Sequence, residues 1–205
     1  MLVLASASPR RRELLTLAGY RFEVHPVHIP EDPLPGEDPI VYVTRLAREK
    51  AEAVFRELTG ANGQRGRDRP DGQSLAVLGA DTTVTLDNTI LGKPEDAEDA
   101  ARMLRLLSGR THRVITGVAV VTAKGAEVAA EATAVRFHTL SDAEIADYVA
   151  GGEPMDKAGA YAIQGRAARW IPRIQGCYFN VMGLPLALVS SLLESCGCLG
   201  PAQET

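Results

Sequence analysis

The chain has 205 residues and a formal net charge of −4, from 22 Lys and Arg against 26 Asp and Glu. That length suits one domain, and 45% apolar content is enough for a core. The acidic balance argues against a nucleic-acid partner, while a small anionic ligand needs only a local basic pocket. Cys177, Cys196 and Cys198 are odd in number and unevenly spread, so they make neither a disulfide framework nor a zinc-ligand set. The opening MLVLASASPRRR puts apolar residues before charged ones, the reverse of a secretory signal. No apolar run approaches the ~20 residues of a membrane span, so a cytoplasmic, membrane-free protein is expected.

In chain order, Leu2 to Ala5 predicts a short buried strand, and Pro9 to Ala18 a helix closed by Gly19. Tyr20 to Val27 alternates as a strand, and Glu31 to Pro39 is an acidic, proline-rich loop. Pro39 to Leu58 predicts a long amphipathic helix with Val43, Leu46, Ala47, Ala51, Val54, Phe55 and Leu58 on one stripe. Gly60 to Ser74 is polar and turn-forming, a flexible insertion. Leu75 to Leu86 holds two β-rich halves around Gly79-Ala80-Asp81. Glu95 to Leu107 predicts a helix with an acidic start. Arg113 to Thr122 and Glu127 to His138 read as an antiparallel hairpin across Lys124-Gly125. Ser141 and Glu144 have the spacing of a capping box for a helix to Val149. Leu184 to Ser195 is the last predicted helix, before a disordered tail over 196–205. Interleaved strands and helices around a central hairpin imply one α/β domain built on a mixed sheet.

The stretch Ser6-Ala7-Ser8-Pro9-Arg10-Arg11-Arg12 carries the most chemistry. Ser8 suits an N-cap and Pro9 the first helical position, so a helix begins right after a buried strand. Its first-turn amides then face outward, as at a phosphate site. Three arginines sit at the positive end of the helix dipole, costing roughly 0.3–1 kcal/mol each unless an anion offsets them. Arginine forks match phosphate oxygens. A solvated basic helix start is the plain alternative. The stretch is not a Walker loop, because Gly92-Lys93 is followed by Pro94.

Asp81 follows the apolar run Leu75-Ala76-Val77-Leu78, a position that suggests a sheet end. A buried carboxylate there needs a metal, a lysine or a reacting water as partner, unless it is a turn former or a cap. Glu31 and Glu37 lie in the proline-rich loop, where solvated side chains are the ordinary case. Lys50, Lys93 and Lys157 each lie beside a small residue or a turn; the plain alternative is a surface lysine for Lys50 and a salt bridge to the acidic helix start for Lys93. Asp156 to Gly165 reads as a rigid loop. His112 is alone, as a structural or exposed histidine is.

LASASPRRRELL, RLAREKA, GADTTV, LGKPED, SGRTHRVITGVAV, GEPMDKAGAYAIQG and NVMGLPL stand here in one order. With them the chain resembles the Maf family, the septum formation inhibitor proteins, over nearly its whole length. The resemblance implies a nucleoside triphosphate pyrophosphatase with a long mixed sheet and two lobes around a cleft, similar to the inosine triphosphatase fold. It also implies a divalent cation, Mg²⁺ or Mn²⁺, and often a homodimer. The family's catalytic carboxylate falls on Asp81, and its other polar site positions on Ser6, Arg10, Glu31, Lys50 and Lys93. The positions separating a dTTP and UTP subgroup from one acting on methylated GTP fall on Arg11, Thr82 and Gln164, with residue types of the pyrimidine subgroup. The chain departs from the pattern at Pro30, where an acid often precedes the equivalent of Glu31. The expected chemistry has Asp81 activate water, Glu31 and Asp81 hold the cation, and Ser6, Arg10, Lys50 and Lys93 hold phosphate oxygens. Two alternatives stand beside it: the same chemistry on 7-methyl-GTP, and a nucleotide-sensing, partner-binding protein that restrains cell division.

Overall fold

The computed structural model describes residues 1–60, 74–87 and 89–198. The expected insertion over 60–74 and the expected tail over 196–205 lie outside them except for Gly60, Ser74 and residues 196–198, of which Cys196 and Cys198 pack against the core. Seven strands form one mixed sheet in the order β2-β1-β3-β5-β6-β7, with the short β4 pairing β3. The strands are β1 Leu2–Leu4, β2 Phe22–Val24, β3 Ala76–Leu86, β4 Thr89–Leu91, β5 Thr111–Thr122, β6 Gly125–Arg136 and β7 Arg173–Gln175. Helices α1 Pro9–Leu17, α2 Pro39–Thr59, α3 Ala97–Leu107, α4 Asp142–Ala150, α5 Tyr178–Met182 and α6 Leu186–Ser195 pack against it. The expected α/β architecture on a mixed sheet is what forms.

Strand alternation sorts the core. Odd positions of β3 and β5, such as Val77, Ile115 and Ala119, face α2, where Val3, Val43, Leu46, Ala47, Ala51 and Val54 are buried. Even positions, such as Leu78, Ala80, Val118 and Val120, face α1 and α6, packing on Leu14, Leu15, Val189 and Leu193. The far ends of β3 and β5 bury Val84, Leu86 and Val114 under α3 and α4, with Phe137, Tyr148 and Trp170.

Several predicted elements form for local reasons. Asp38 caps α2 by accepting from the Ile40 and Val41 amides, with Pro39 in the first turn. Ser141 and Glu144 make both bonds of the capping box. Gly125 turns the β5–β6 hairpin at φ 128°.

Other expectations need correction. The two predicted halves around Gly79 are one strand, β3, paired continuously with β5 from Ala76↔Thr122 to Thr85↔Arg113. Gly79 does not break it, because the glycine is there for close approach: a Cβ would sit 2.1 Å from the Ala47 carbonyl of α2. Gly117 of β5 does the same, its Cβ position lying 2.3 Å from the Val43 carbonyl. These two bare patches let α2 lie unusually close to the sheet. The strand predicted over Tyr20 to Val27 shrinks to β2, and the loop at Asp156 to Gly165 contains a 3₁₀ turn at Ala158–Ala160.

Candidate functional site

Asp81 sits in the middle of β3, not at a sheet end. The sheet nevertheless opens beside it. β1 pairs only Leu2–Leu4 with Ala76–Leu78, and the Ala5 amide makes the last bond, to the Leu78 carbonyl. On that side β3 regains a neighbour only at Val84, where β4 begins. Gly79 to Thr83 therefore form a gap in the sheet, and a cavity of about 740 Å³ surrounds it.

On the α2 face of the gap, Lys50 Nζ lies 2.6 Å from Asp81 Oδ1 and 2.5 Å from Glu31 Oε1. Lys50 is only 7% exposed and Asp81 9%, so Lys50 is no surface lysine. It reaches Asp81 because Gly79, and Gly117 directly opposite Asp81 in the ladder, bring its helix down. Burial alone would raise the Glu31 carboxyl, but the hydrogen bond and charge of Lys50, with Lys93 and Arg11 farther off, hold it below the usual range. Asp81 Oδ2 has no bond to the described residues and remains open to the cleft.

Two carboxylates share the Lys50 ammonium, with Lys93 and Arg11 as further cations around them. Among the described residues no group of three or more His, Cys, Asp or Glu gathers around a metal position. The donor set of Glu31 and Asp81 is of the size with which a hard cation such as Mg²⁺ is held when phosphate oxygens and water complete its shell. It does not fit a closed protein cage.

The opposite face of the gap carries a second cluster. Thr82 follows Asp81 and so points the other way. Its Oγ1 lies 3.1 Å from Arg11 Nη2 and 2.9 Å from Thr116 Oγ1. Arg11 also donates through Nε to the Gly183 carbonyl at 2.9 Å, and through Nη1 to the Ala80 carbonyl at 2.8 Å and Ser6 Oγ at 3.2 Å. Burial lowers its pKa, partly offset by Asp81. These four bonds occupy four of the five N–H donors of the guanidinium and leave one Nη2 hydrogen without a protein acceptor among the described residues. Gln164 is exposed at the cleft and has no hydrogen bond among the described residues.

The helix start also lines the cleft. Ser8 is the N-cap and Pro9 follows it, but the Ser8 side chain makes no cap bond; its amide donates instead to Ser6 Oγ at 3.2 Å. Arg10 is half-buried, and its nearest acid is Asp156, 4.0 Å away. Lys93 is exposed, lines the cleft, and has no ion pair among the described residues. Both are available to an anion.

Residue reading alone missed two features. Glu37 is not solvated: Arg45 binds it in a bidentate pair, and its side chain is 4% exposed. Tyr42 donates to the Glu31 carbonyl at 2.7 Å. Tyr42 and Lys50, eight apart on α2, lie on one helical stripe, which was the available signal. His112 is structural as expected, its Nε2 2.8 Å from the Tyr161 hydroxyl and its pKa lowered by burial to about 3.

The site is thus a gap in the mixed sheet of an α/β protein, with a lysine-bridged acid pair on the α2 face and the basic start of α1 beside it. The Maf-like protein family matches residues 1–196, and this chain belongs to it. It is 49% identical to a dTTP/UTP pyrophosphatase of Koribacter versatilis, covering 97% of this chain and 95% of the relative. It is 52% identical to a dTTP/UTP pyrophosphatase of a Geobacter species, covering 97% of each. The solved structure of the Staphylococcus aureus Ham1 protein is similar at TM-score 0.47 and 12% identity, over 95% of this chain and 98% of that one.

Proposed function

We propose that this protein is a nucleoside triphosphate pyrophosphatase that hydrolyses dTTP and UTP to the monophosphate and pyrophosphate. The observation that carries the reading is the Lys50 bridge between Asp81 and Glu31 at the gap in β3, beside the basic start of α1. The named activity of relatives about half identical over nearly the whole chain supports it.

In this reading Asp81 Oδ2 accepts the proton of a water aimed at the phosphorus on one side of the α–β bridge. The new P–O bond forms as the bond to the bridging oxygen breaks, and the phosphate group on the far side of the bridge leaves with that oxygen and the electron pair. Lys50 holds the Asp81 carboxylate in place through its 2.6 Å contact with Oδ1. Arg10, Lys93 and Ser6 bind phosphate oxygens, with the α1 amides adding their dipole. A divalent cation, Mg²⁺ or Mn²⁺, would be held by Glu31 and Asp81 and would neutralise charge on the leaving group. Thr82 and Gln164 read the base, and Arg11 fixes the Thr82 hydroxyl. The protein acts in the cytoplasm on a small nucleotide, without nucleic acid or membrane, as a homodimer; light scattering on the purified protein tests the last point.

One nucleotide panel tests the activity. Under one metal condition, kcat/KM for dTTP and UTP should exceed that for CTP, GTP and 7-methyl-GTP, with monophosphate and pyrophosphate as products. A uracil or thymine edge offers two acceptors flanking a donor, and buried partners left unpaired by another base penalise it strongly. Preference for 7-methyl-GTP would overturn the base assignment, and binding without turnover would overturn the enzyme assignment.

A further inference from the structure

Glu31 stands on an exposed, proline-rich stretch without regular secondary structure, yet its carboxylate touches a buried lysine. A loop of this kind samples many conformations unless something outside it removes them. The fastening comes from α2. Tyr42 donates to the Glu31 carbonyl at 2.7 Å, and Arg45 Nη2 donates to the neighbouring Asp32 carbonyl at 3.2 Å. Arg45 also grips Glu37 with two bonds, from Nε at 2.7 Å and Nη2 at 2.8 Å. Glu37 in turn closes the loop on itself, accepting from the Leu34 amide at 2.9 Å while its own amide donates to the Leu34 carbonyl at 3.0 Å. Neither Arg45 nor Glu37 lines the cleft.

We infer that Arg45 and Glu37 form a clip that positions Glu31 against Lys50, so that Arg45 is a positioning residue for the reaction although it touches no substrate. The inference rests on the activity proposed above. A nearly buried carboxylate–guanidinium pair is a weak source of net stability but a strong source of unique geometry, since each fork bond fixes a direction as well as a distance. Arg45 holds the Glu37 carboxyl down to about 2, so the clip stays charged across the working pH range. The pair fixes the far end of the loop and the Asp32 carbonyl at once. What remains to Glu31 is the rotation of its own side chain, whose carboxylate meets Lys50.

The test is a double-mutant cycle on kcat/KM with Arg45→Ala, Glu31→Gln and the two combined. Alongside it runs Arg45→Met with Glu37→Gln, which removes the clip without leaving a buried charge unpaired. Arg45→Ala should lose roughly tenfold or more, the scale of a misplaced group near the chemistry. Arg45→Met/Glu37→Gln should lose as much, and Arg45→Ala should cost nothing further once Glu31 is Gln. Amide exchange over residues 32–37 should quicken in both clip variants. Full activity in Arg45→Met/Glu37→Gln, additive losses with Glu31→Gln, or unchanged exchange would each overturn the inference. If Arg45→Ala does not fold, the Met/Gln pair takes its place in the cycle. A wild-type protein without pyrophosphatase activity would sink the proposed function instead, and the exchange measurement would still judge the clip.

Discussion

Replacing Gly79 by Ala should disable the site from a position that no ligand reaches. The added Cβ would stand 2.1 Å from the Ala47 carbonyl and 3.0 Å from the Ala51 amide nitrogen and Cβ, where ordinary contact begins at 3.4 Å. Backbone on both sides cannot rotate away as a side chain would, so α2 must retreat by roughly 1 Å. Lys50 precedes Ala51 on that helix, and its 2.6 Å contact with Asp81 stretches with it. Overpacking of this kind costs about 1–3 kcal/mol. For a domain near this size that lowers Tm by roughly 2–12 °C. The rate should fall far more than stability alone explains, by about 10²-fold, because the retreat displaces the group that holds the catalytic carboxylate. The assay is kcat/KM for dTTP at a temperature where the variant is fully folded. Leu193→Ala, a buried truncation on the opposite face of the sheet, serves as comparator and costs about 2–5 kcal/mol without touching α2. Wild-type kcat/KM in Gly79→Ala, or an equal loss in Leu193→Ala, would refute the reasoning.

Asp81→Asn should keep the fold and lose at least ~10²-fold in turnover, because an amide cannot accept the water's proton; circular dichroism and kcat check the two halves. Pyrophosphate should raise the melting temperature of the wild-type protein by mass action on the native state, and Arg10→Ala should shrink that shift; equal shifts would return Arg10 to a solvated role. His112 adds a pH effect of definite sign. Its folded pKa is lowered to about 3, below the unfolded value of ~6.5, so between these the unfolded chain binds the extra proton and stability falls as pH drops. The slope from this one group reaches at most ~1.4 kcal/mol per pH unit. Melting temperatures at pH 7 and pH 5 should therefore differ more for wild type than for His112→Gln.

What is local was legible in the residues. An apolar stripe at helical spacing from Pro39 located α2 to within a residue at its far end, and Ser141 with Glu144 announced α4. Caps and turns are decided within a few residues, so the chain states them directly. The α/β class followed from the alternation of such elements. β3 was harder, because a strand buried on both faces has no polar alternation to read, and Gly79 looked like a break. The three-residue β4 and β7 carry too few positions for any period to show.

The order of the motifs in the sequence also placed the chain in its family, and that resemblance pointed to Asp81, Lys50, Glu31 and the basic start of α1 as site candidates. Only the tertiary structure decided what each touches. Lys50 meets Asp81 across 31 residues, and Arg11 is bound to acceptors 69, 71 and 172 residues away, which ties the start of α1 to β3 and to the turn after α5. Glu37 changed from a solvated acid to the anchor of a loop because Arg45 lies beneath it. The reason is common to all three. A charged side chain takes its role from the partner that makes its burial tolerable, and packing, not sequence spacing, chooses that partner.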